Sequence, residues 1–421
     1  MKIRLIFLHI ALAVAVLAGF AIFDWSSGVV QATSSHRGPR FVVDPDWPKP
    51  LPNKWLVGQV AGVAVDRHDR IWIVQRPSTL TADEAGAEQT PPRSECCFRA
   101  PSVMQFDRDG NLLRAWGGSA DPGFLTRRCV PPACEWPANE HGIFVDHNDN
   151  VWIAGNGGSD HQVLKFSMDG TFLLQIGKAG MTGGSNDTDG AGNGIPLLGR
   201  PADSEVDPLT NELYIADGYL NKRVLVVDAN TGRYKRHWGA YGNPPNDTPP
   251  GPYDPAANPA DQFRNPVHCV RIAHDGLVYV CDRVNDRIQV FRKDGSFVKE
   301  FFVATNTLGN GSTWDVDLSP DRRQTYLYNP DGENNKVWIL ARRSGDILSS
   351  FGRNGRNAGQ FHWVHNLATD SHGNIYTAEV DTGKRAQKFV PRGRDRDWDD
   401  DDRGRGRDWD DDDRDRGRDR H

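Results

Sequence analysis

HGIFVDHNDNVWIAGNGGSDHQVLKFSMDGTFLLQIG, residues 141–177, reads as four short strands in succession. An apolar run ends at Asp146, and the polar turn His147-Asn148-Asp149 leads into a second run, VWIAG. A Gly/Ser/Asp link precedes QVLKF, and the turn at Asp169-Gly170 opens the last run, FLLQIG. The same order returns from His268 to Phe301 (HCVRIAHDGLVYVCDRVNDRIQVFRKDGSFVKEF) and from His365 to Val390 (HNLATDSHGNIYTAEVDTGKRAQKFV). It returns three more times with Ala61, Ala202 or Trp314 in place of the leading histidine. Six blocks built on a plan of roughly 40 residues and four short strands predict an all-β, six-bladed β-propeller. One such sheet cannot bury both of its faces alone, so the six must close into a ring over residues 41–391. The last block is one strand short, and the N-terminal run Phe41-Val42-Val43 is expected to complete it and remove an exposed edge.

His141, His268 and His365 occupy one register position in the second, fourth and sixth blocks. In a six-bladed ring those blades lie about 120° apart, and the first strand of each lines the central channel. Three imidazoles aimed at one axis are the donor set of a zinc ion with an open fourth position. His68, His147, His274 and His372 recur as well, but in the turn after the first strand, where they read as solvent-edge residues.

Lys2 and Arg4 precede an apolar run to Phe23, and Val30-Gln31-Ala32 offers a small-residue cleavage site, so residues 1–32 read as an export signal. The same run is long enough to remain as an uncleaved anchor, and both readings place the folded part outside the cytoplasm, secreted or periplasmic. The six cysteines agree with an oxidising compartment. Cys269 and Cys281 flank the turn at Asp275 symmetrically, which predicts a cross-strand disulfide; spacing leaves the pairing of Cys96, Cys97, Cys129 and Cys134 open. A net charge of −6 without a basic face argues against a nucleic-acid partner. Residues 392–421 repeat RDWDDDD and carry almost no apolar side chains, so they read as a disordered Arg/Asp-rich tail.

From about Trp55 to Phe389 the chain resembles peptidyl-α-hydroxyglycine α-amidating lyase, the lyase half of peptidylglycine α-amidating enzymes and a propeller of NHL-type repeats. The resemblance is carried by GQVAGVAVD (58–66), EHGIFVD (140–146), RPADSEVDP (200–208), IADGYLNKRV (215–224), CDRVNDRIQVF (281–291) and VHN (364–366). It implies zinc on His141, His268 and His365, Tyr219 as the general base, and Arg76 and Arg283 lining the same cavity. It also implies a calcium ion in the channel, held by the backbone carbonyls of Val63 and Ile143 and by the side chain of Asn366. The family has Asp at the last position and Met at the position of Trp363. The copper-binding monooxygenase half is absent, so a hydroxylated substrate must come from elsewhere.

The implied reaction splits the C–N bond of a carbinolamide, R-CO-NH-CH(OH)-COO⁻, into an amide and glyoxylate. Zinc acts there as a Lewis acid on the hydroxyl oxygen. A free tyrosine is a weak base at neutral pH, and neighbouring guanidinium groups favour the phenolate. An arginine is also suited to grip the substrate carboxylate through two parallel hydrogen bonds. The expected partner is a small peptide or N-acyl α-hydroxyglycine, bound by a monomer. Two other classes share the scaffold: a lactonase-type metal hydrolase, whose ligands are usually Glu, Asn and Asp, and a non-catalytic binding propeller.

Overall fold

The computed structural model describes residues 38–190 and 192–393, and it is a ring of six four-stranded antiparallel sheets. The first strands of the blades are Gln59–Val65, Glu140–Val145, Asp203–Asp207, Val267–Ile272, Asp317–Leu318 and Val364–Thr369. These strands pack against one another around the channel. Phe41–Asp44 joins the sixth blade, with Phe41 opposite Pro391 and Val43 opposite Phe389, so the ring closes as the short last repeat predicts. The export segment and most of the Arg/Asp-rich tail lie outside the described residues. Among the described residues no helix is long and apolar enough to cross a membrane.

Apolar residues from adjacent blades fill the space between them. Trp152, Ala154 and Val163 of the second blade pack with Val206, Leu213 and Ile215 of the third. Ile288 and Val290 of the fourth pack with Leu327 and Leu340 of the fifth. Each blade therefore buries its faces only against its neighbours, which is why the repeat has to run full circle.

The acidic residue that ends the first strand anchors the turn after it. Asp146 accepts the backbone N–H groups of Asn148 and Asn150 and the indole N–H of Trp152 at 2.9 Å. Asp66 does the same for His68, Arg70 and Trp72. Asp370 holds His372, Asn374 and the Tyr376 hydroxyl. The histidines of these turns are at the solvent edge, where the sequence puts them.

Two blades are also stapled by buried ion pairs between their second and third strands. Arg223 Nε meets Asp217 Oδ2 at 2.9 Å and Arg287 Nε meets Asp282 Oδ2 at 2.8 Å, all four side chains fully buried. Arg223 spends its remaining N–H groups on the carbonyls of Ser185, Asp187 and Leu197. Removing the carboxylate leaves a buried cation without its counter-charge, so Asp217→Ala is expected to cost about 3–5 kcal/mol. Urea denaturation measures this, and a loss below about 1 kcal/mol would show that the pair contributes little.

All six cysteines are paired. Cys269 lies directly opposite Cys281 in the sheet and is bonded to it, with 4.9 Å between the α-carbons. The pairs that spacing leaves open are Cys129–Cys134 and Cys96–Cys97. Three disulfides fit an oxidising compartment.

Candidate metal centre

A β-bulge sits at each histidine. Pairing in the fourth blade passes from Val267–Asp282 to Cys269–Cys281, skipping His268. In the sixth blade it passes from Val364–Glu379 to Asn366–Ala378, skipping His365. The second blade shifts register between Glu140 and Ile143, around His141. A bulge frees a residue from the ladder and re-aims its side chain. Here the three side chains are brought together from alternate blades.

The imidazole centroids stand 5.0 Å (His141–His268), 4.6 Å (His141–His365) and 4.9 Å (His268–His365) apart. One ring nitrogen from each lies within 4.8 Å of the others. All three are buried, and they line a cavity of about 10 Å³, the size of one water or one ion. The other nitrogens face carbonyls of the intervening blades. His141 Nδ1 is 2.8 Å from Ala202 O, His365 Nδ1 is 2.6 Å from Ala61 O, and His268 Nδ1 bonds Trp314 O. Ala61, Ala202 and Trp314 are the residues that replace histidine at the matching place in the odd blocks. A carbonyl can only accept, so each Nδ1 carries the proton and each Nε2 presents a lone pair, the tautomer a metal ligand needs.

Burial pushes all three imidazoles below their usual range; the other histidines add to this at His141 and His268, Arg283 pushes all three in the same direction, and Arg76 does so at His141 and His365. His141 and His268 lie well below 6.5 and His365 falls to about 3, so the cluster is neutral at physiological pH. Three neutral, tautomer-fixed, converging imidazoles fit a divalent metal ion.

Tyr219 follows the second strand of the third blade, Glu212–Asp217. Its hydroxyl is 2.9 Å from His141 Nε2, 3.1 Å from His268 Nε2 and 3.2 Å from Arg283 Nη1. Arg283 follows the second strand of the fourth blade and stacks on Trp314, its guanidinium carbon 4.5 Å from the ring centre. Its Nε is buried and, among the described residues, has no hydrogen-bond partner. Arg76 ends the second strand of the first blade, where Nε donates to Glu140 O at 2.6 Å and Nη1 to Gln59 Oε1 at 2.8 Å. The structure thus gathers Tyr219, Arg76 and Arg283 around the histidines. Trp363, at the position of the family's Met, packs edge-on against Trp314 with 5.4 Å between centroids.

The calcium implied by the resemblance does not fit. Asn366 Oδ1, the expected side-chain ligand, accepts the N–H of Val63 at 2.6 Å, and Asn366 Nδ2 donates to Asp315. Its amide is satisfied within the protein, and a neutral amide lacks the charge a hard cation favours. Val63 and Ile143 remain in first strands beside the channel, without a charged partner ligand from Asn366. The cation in this part of the channel is Arg271, whose guanidinium lies 3.7 Å from Asp203, 3.4 Å from Glu205 and 3.4 Å from Asp315. Burial outweighs Arg271 and pushes Glu205 up to about 8 and Asp315 up to about 7. Sequence reasoning missed this cluster, although its register was readable. Asp203 and Asp315 fall one residue after the histidine position, and Glu205, Arg271 and Asp317 fall three after it. Arg200 was missed as well; its guanidinium carbon is 5.8 Å from the centre of the Tyr219 ring.

Fold and site together define a six-bladed propeller that carries a buried three-histidine cluster in its channel. The chain is a homologue of the amidating monooxygenases and of NHL repeat-containing protein 3. Peptidyl-glycine alpha-amidating monooxygenase B of Xenopus laevis is 28% identical over 364 residues, which cover 83% of this chain and 35% of that protein. The chain thus spans about a third of the length of that relative. NHL repeat-containing protein 3 of Mus musculus is 26% identical over 373 residues, covering 84% of this chain and 85% of that one. A solved streptogramin B lyase aligns over 83% of this chain and 98% of its own with a TM-score of 0.48 and 12% identity. No family model matches the chain.

Proposed function

We propose that this protein is a zinc-dependent lyase that splits the C–N bond of a peptidyl- or N-acyl-α-hydroxyglycine, giving an amide and glyoxylate. The observation that carries the reading is the Tyr219 hydroxyl within hydrogen-bond reach of two converging imidazoles and of Arg283. Homology to amidating monooxygenases over most of the chain supports it. His141, His268 and His365 would hold the metal, which when bound supplies Lewis acidity toward the substrate hydroxyl.

The remaining work falls to the chain's own side chains. Arg283 Nε has no partner among the described residues, and with Nη2 it forms the side of the guanidinium suited to a carboxylate in two parallel hydrogen bonds. Nη2 has only a long contact of 3.4 Å to Asn310 to give up. Clamping the α-carboxylate there brings the adjoining CH(OH) group toward the Tyr219 oxygen, which Arg283 Nη1 touches. Tyr219, acting as the base, takes the hydroxyl proton, the C–O bond becomes a carbonyl, and the C–N pair leaves with nitrogen. The proton then passes from Tyr219 to that nitrogen, so amide and glyoxylate form without any co-reactant. Arg76, fixed by Glu140 and Gln59, adds positive potential to the same cavity. In this reading the protein acts as an exported monomer on a small substrate.

Metal analysis combined with a glyoxylate assay tests the proposal. The purified protein is expected to hold one zinc per chain and to release glyoxylate and benzamide in equal amounts from α-hydroxyhippurate. Zinc-loaded protein that releases neither would overturn it.

A further inference from the structure

Arg200 has no part in the reaction as written, yet it is built into the site. Its backbone is left-handed, with φ of 59°, an uncommon conformation for a residue with a β-carbon. Neighbours hold it there. Its N–H reaches His161 Nδ1 at 3.2 Å, and its carbonyl accepts the N–H of Tyr219 at 3.1 Å. The side chain donates from Nε to Asn156 O at 2.8 Å, which sets the guanidinium over the Tyr219 ring. Arg283 stands at a similar distance from that ring, 5.7 Å against 5.8 Å for Arg200.

Among the described residues neither Nη group of Arg200 has a hydrogen-bond partner, and no carboxylate lies within ion-pair distance. The acids around His161 are committed elsewhere. Asp160 accepts the N–H groups of Ala138, Asn139 and Gly157, and Asp217 holds Arg223, Gly199 and Asn221. The α-carboxylate of the proposed substrate needs one guanidinium fork, and Arg283 supplies it. A second, unneutralised fork beside the same tyrosine is more than that substrate needs.

We propose that Arg200 forms a second anion subsite, which selects substrates whose acyl part carries a carboxylate of its own, such as an acidic residue preceding the hydroxyglycine. This inference rests on the lyase reading for the identity of the first carboxylate, but binding tests it apart from turnover. Calorimetry on the zinc-loaded protein would compare 4-carboxyhippurate with hippurate and N-succinylglycine with N-butyrylglycine, none of which can react. In at least one pair the dianion is expected to bind about tenfold more tightly, the worth of one charge-assisted contact. That preference should shrink at high salt, fall to about unity in Arg200→Gln, and survive in part in Arg200→Lys. Equal affinity within both pairs for the unmutated protein overturns the subsite, as does a preference that Arg200→Gln leaves intact. Glyoxylate release from the matching α-hydroxy compounds separates the two readings. Equal kcat/KM for neutral and acidic substrates keeps the lyase and removes the subsite. Tighter dianion binding with no glyoxylate from any compound keeps the subsite and removes the lyase.

Discussion

Tyr219→Phe is expected to cut glyoxylate release by about 10² to 10⁴, the range for loss of a general base. The substitution removes one oxygen and leaves the ring, which stands edge-on to His141 and His268 at centroid distances of 5.0 and 5.7 Å. Zinc content should hold, because the tautomer of each histidine is set at Nδ1 by a backbone carbonyl and not by the phenol. The fold should hold too, since Tyr219 is placed through its backbone N–H on Arg200 O rather than through its hydroxyl. The loss should appear in kcat, with KM for the carboxylate substrate little changed, because the clamp proposed for Arg283 does not use the Tyr219 hydroxyl. Single-turnover kinetics on the zinc-loaded variant decide the matter. A chemical step close to that of the unmutated protein would take the tyrosine out of the proposed mechanism.

The blade plan and the histidine cluster were legible because both repeat with the period of the ring. Once the first strands are taken to line a channel, register alone says that His141, His268 and His365 meet. The closing strand at Phe41–Asp44 was legible by counting, since the last repeat lacked one. Cys269 and Cys281 could be paired because a hairpin turn sits midway between them, whereas Cys96, Cys97, Cys129 and Cys134 lie in irregular segments where spacing fixes nothing.

The channel charges show a different limit. Asp203, Glu205, Asp315 and Asp317 look like ordinary strand-start acids within their own blades, and Arg271 looks like a solvent-facing residue. They meet only across blades, so their shared offsets of one and three from the histidine position show a cluster only once the ring is closed. For the same reason the calcium site implied by resemblance could not be judged from Asn366 alone. Its amide is consumed by Val63 in one neighbouring blade and by Asp315 in the other. Arg200 was hidden for a local reason. It precedes a proline at the entrance to the third blade, and nothing in the pair Arg200-Pro201 says that the backbone turns left-handed or that the side chain folds over Tyr219.

His365→Ala is expected to abolish stable zinc binding and, with it, all measurable lyase activity. Loss of a partner that merely orients a metal-bound histidine typically costs 10- to 100-fold in affinity, so loss of the histidine itself should cost more than about 10². The ring should survive the change. His365 lies in a bulge, outside the ladder that runs from Val364–Glu379 to Asn366–Ala378, so no strand pairing is removed. Among the described residues the only hydrogen bond lost is that of Nδ1 to Ala61 O. Alanine already occupies this register position in the first and third blades, so the backbone accepts a methyl group there. Metal analysis after gel filtration, together with a thermal melt, separates the outcomes. A folded variant without zinc supports the three-histidine centre. A variant that keeps one zinc per chain would mean that the metal sits elsewhere, and that the three imidazoles are packed in the channel for stability rather than chemistry.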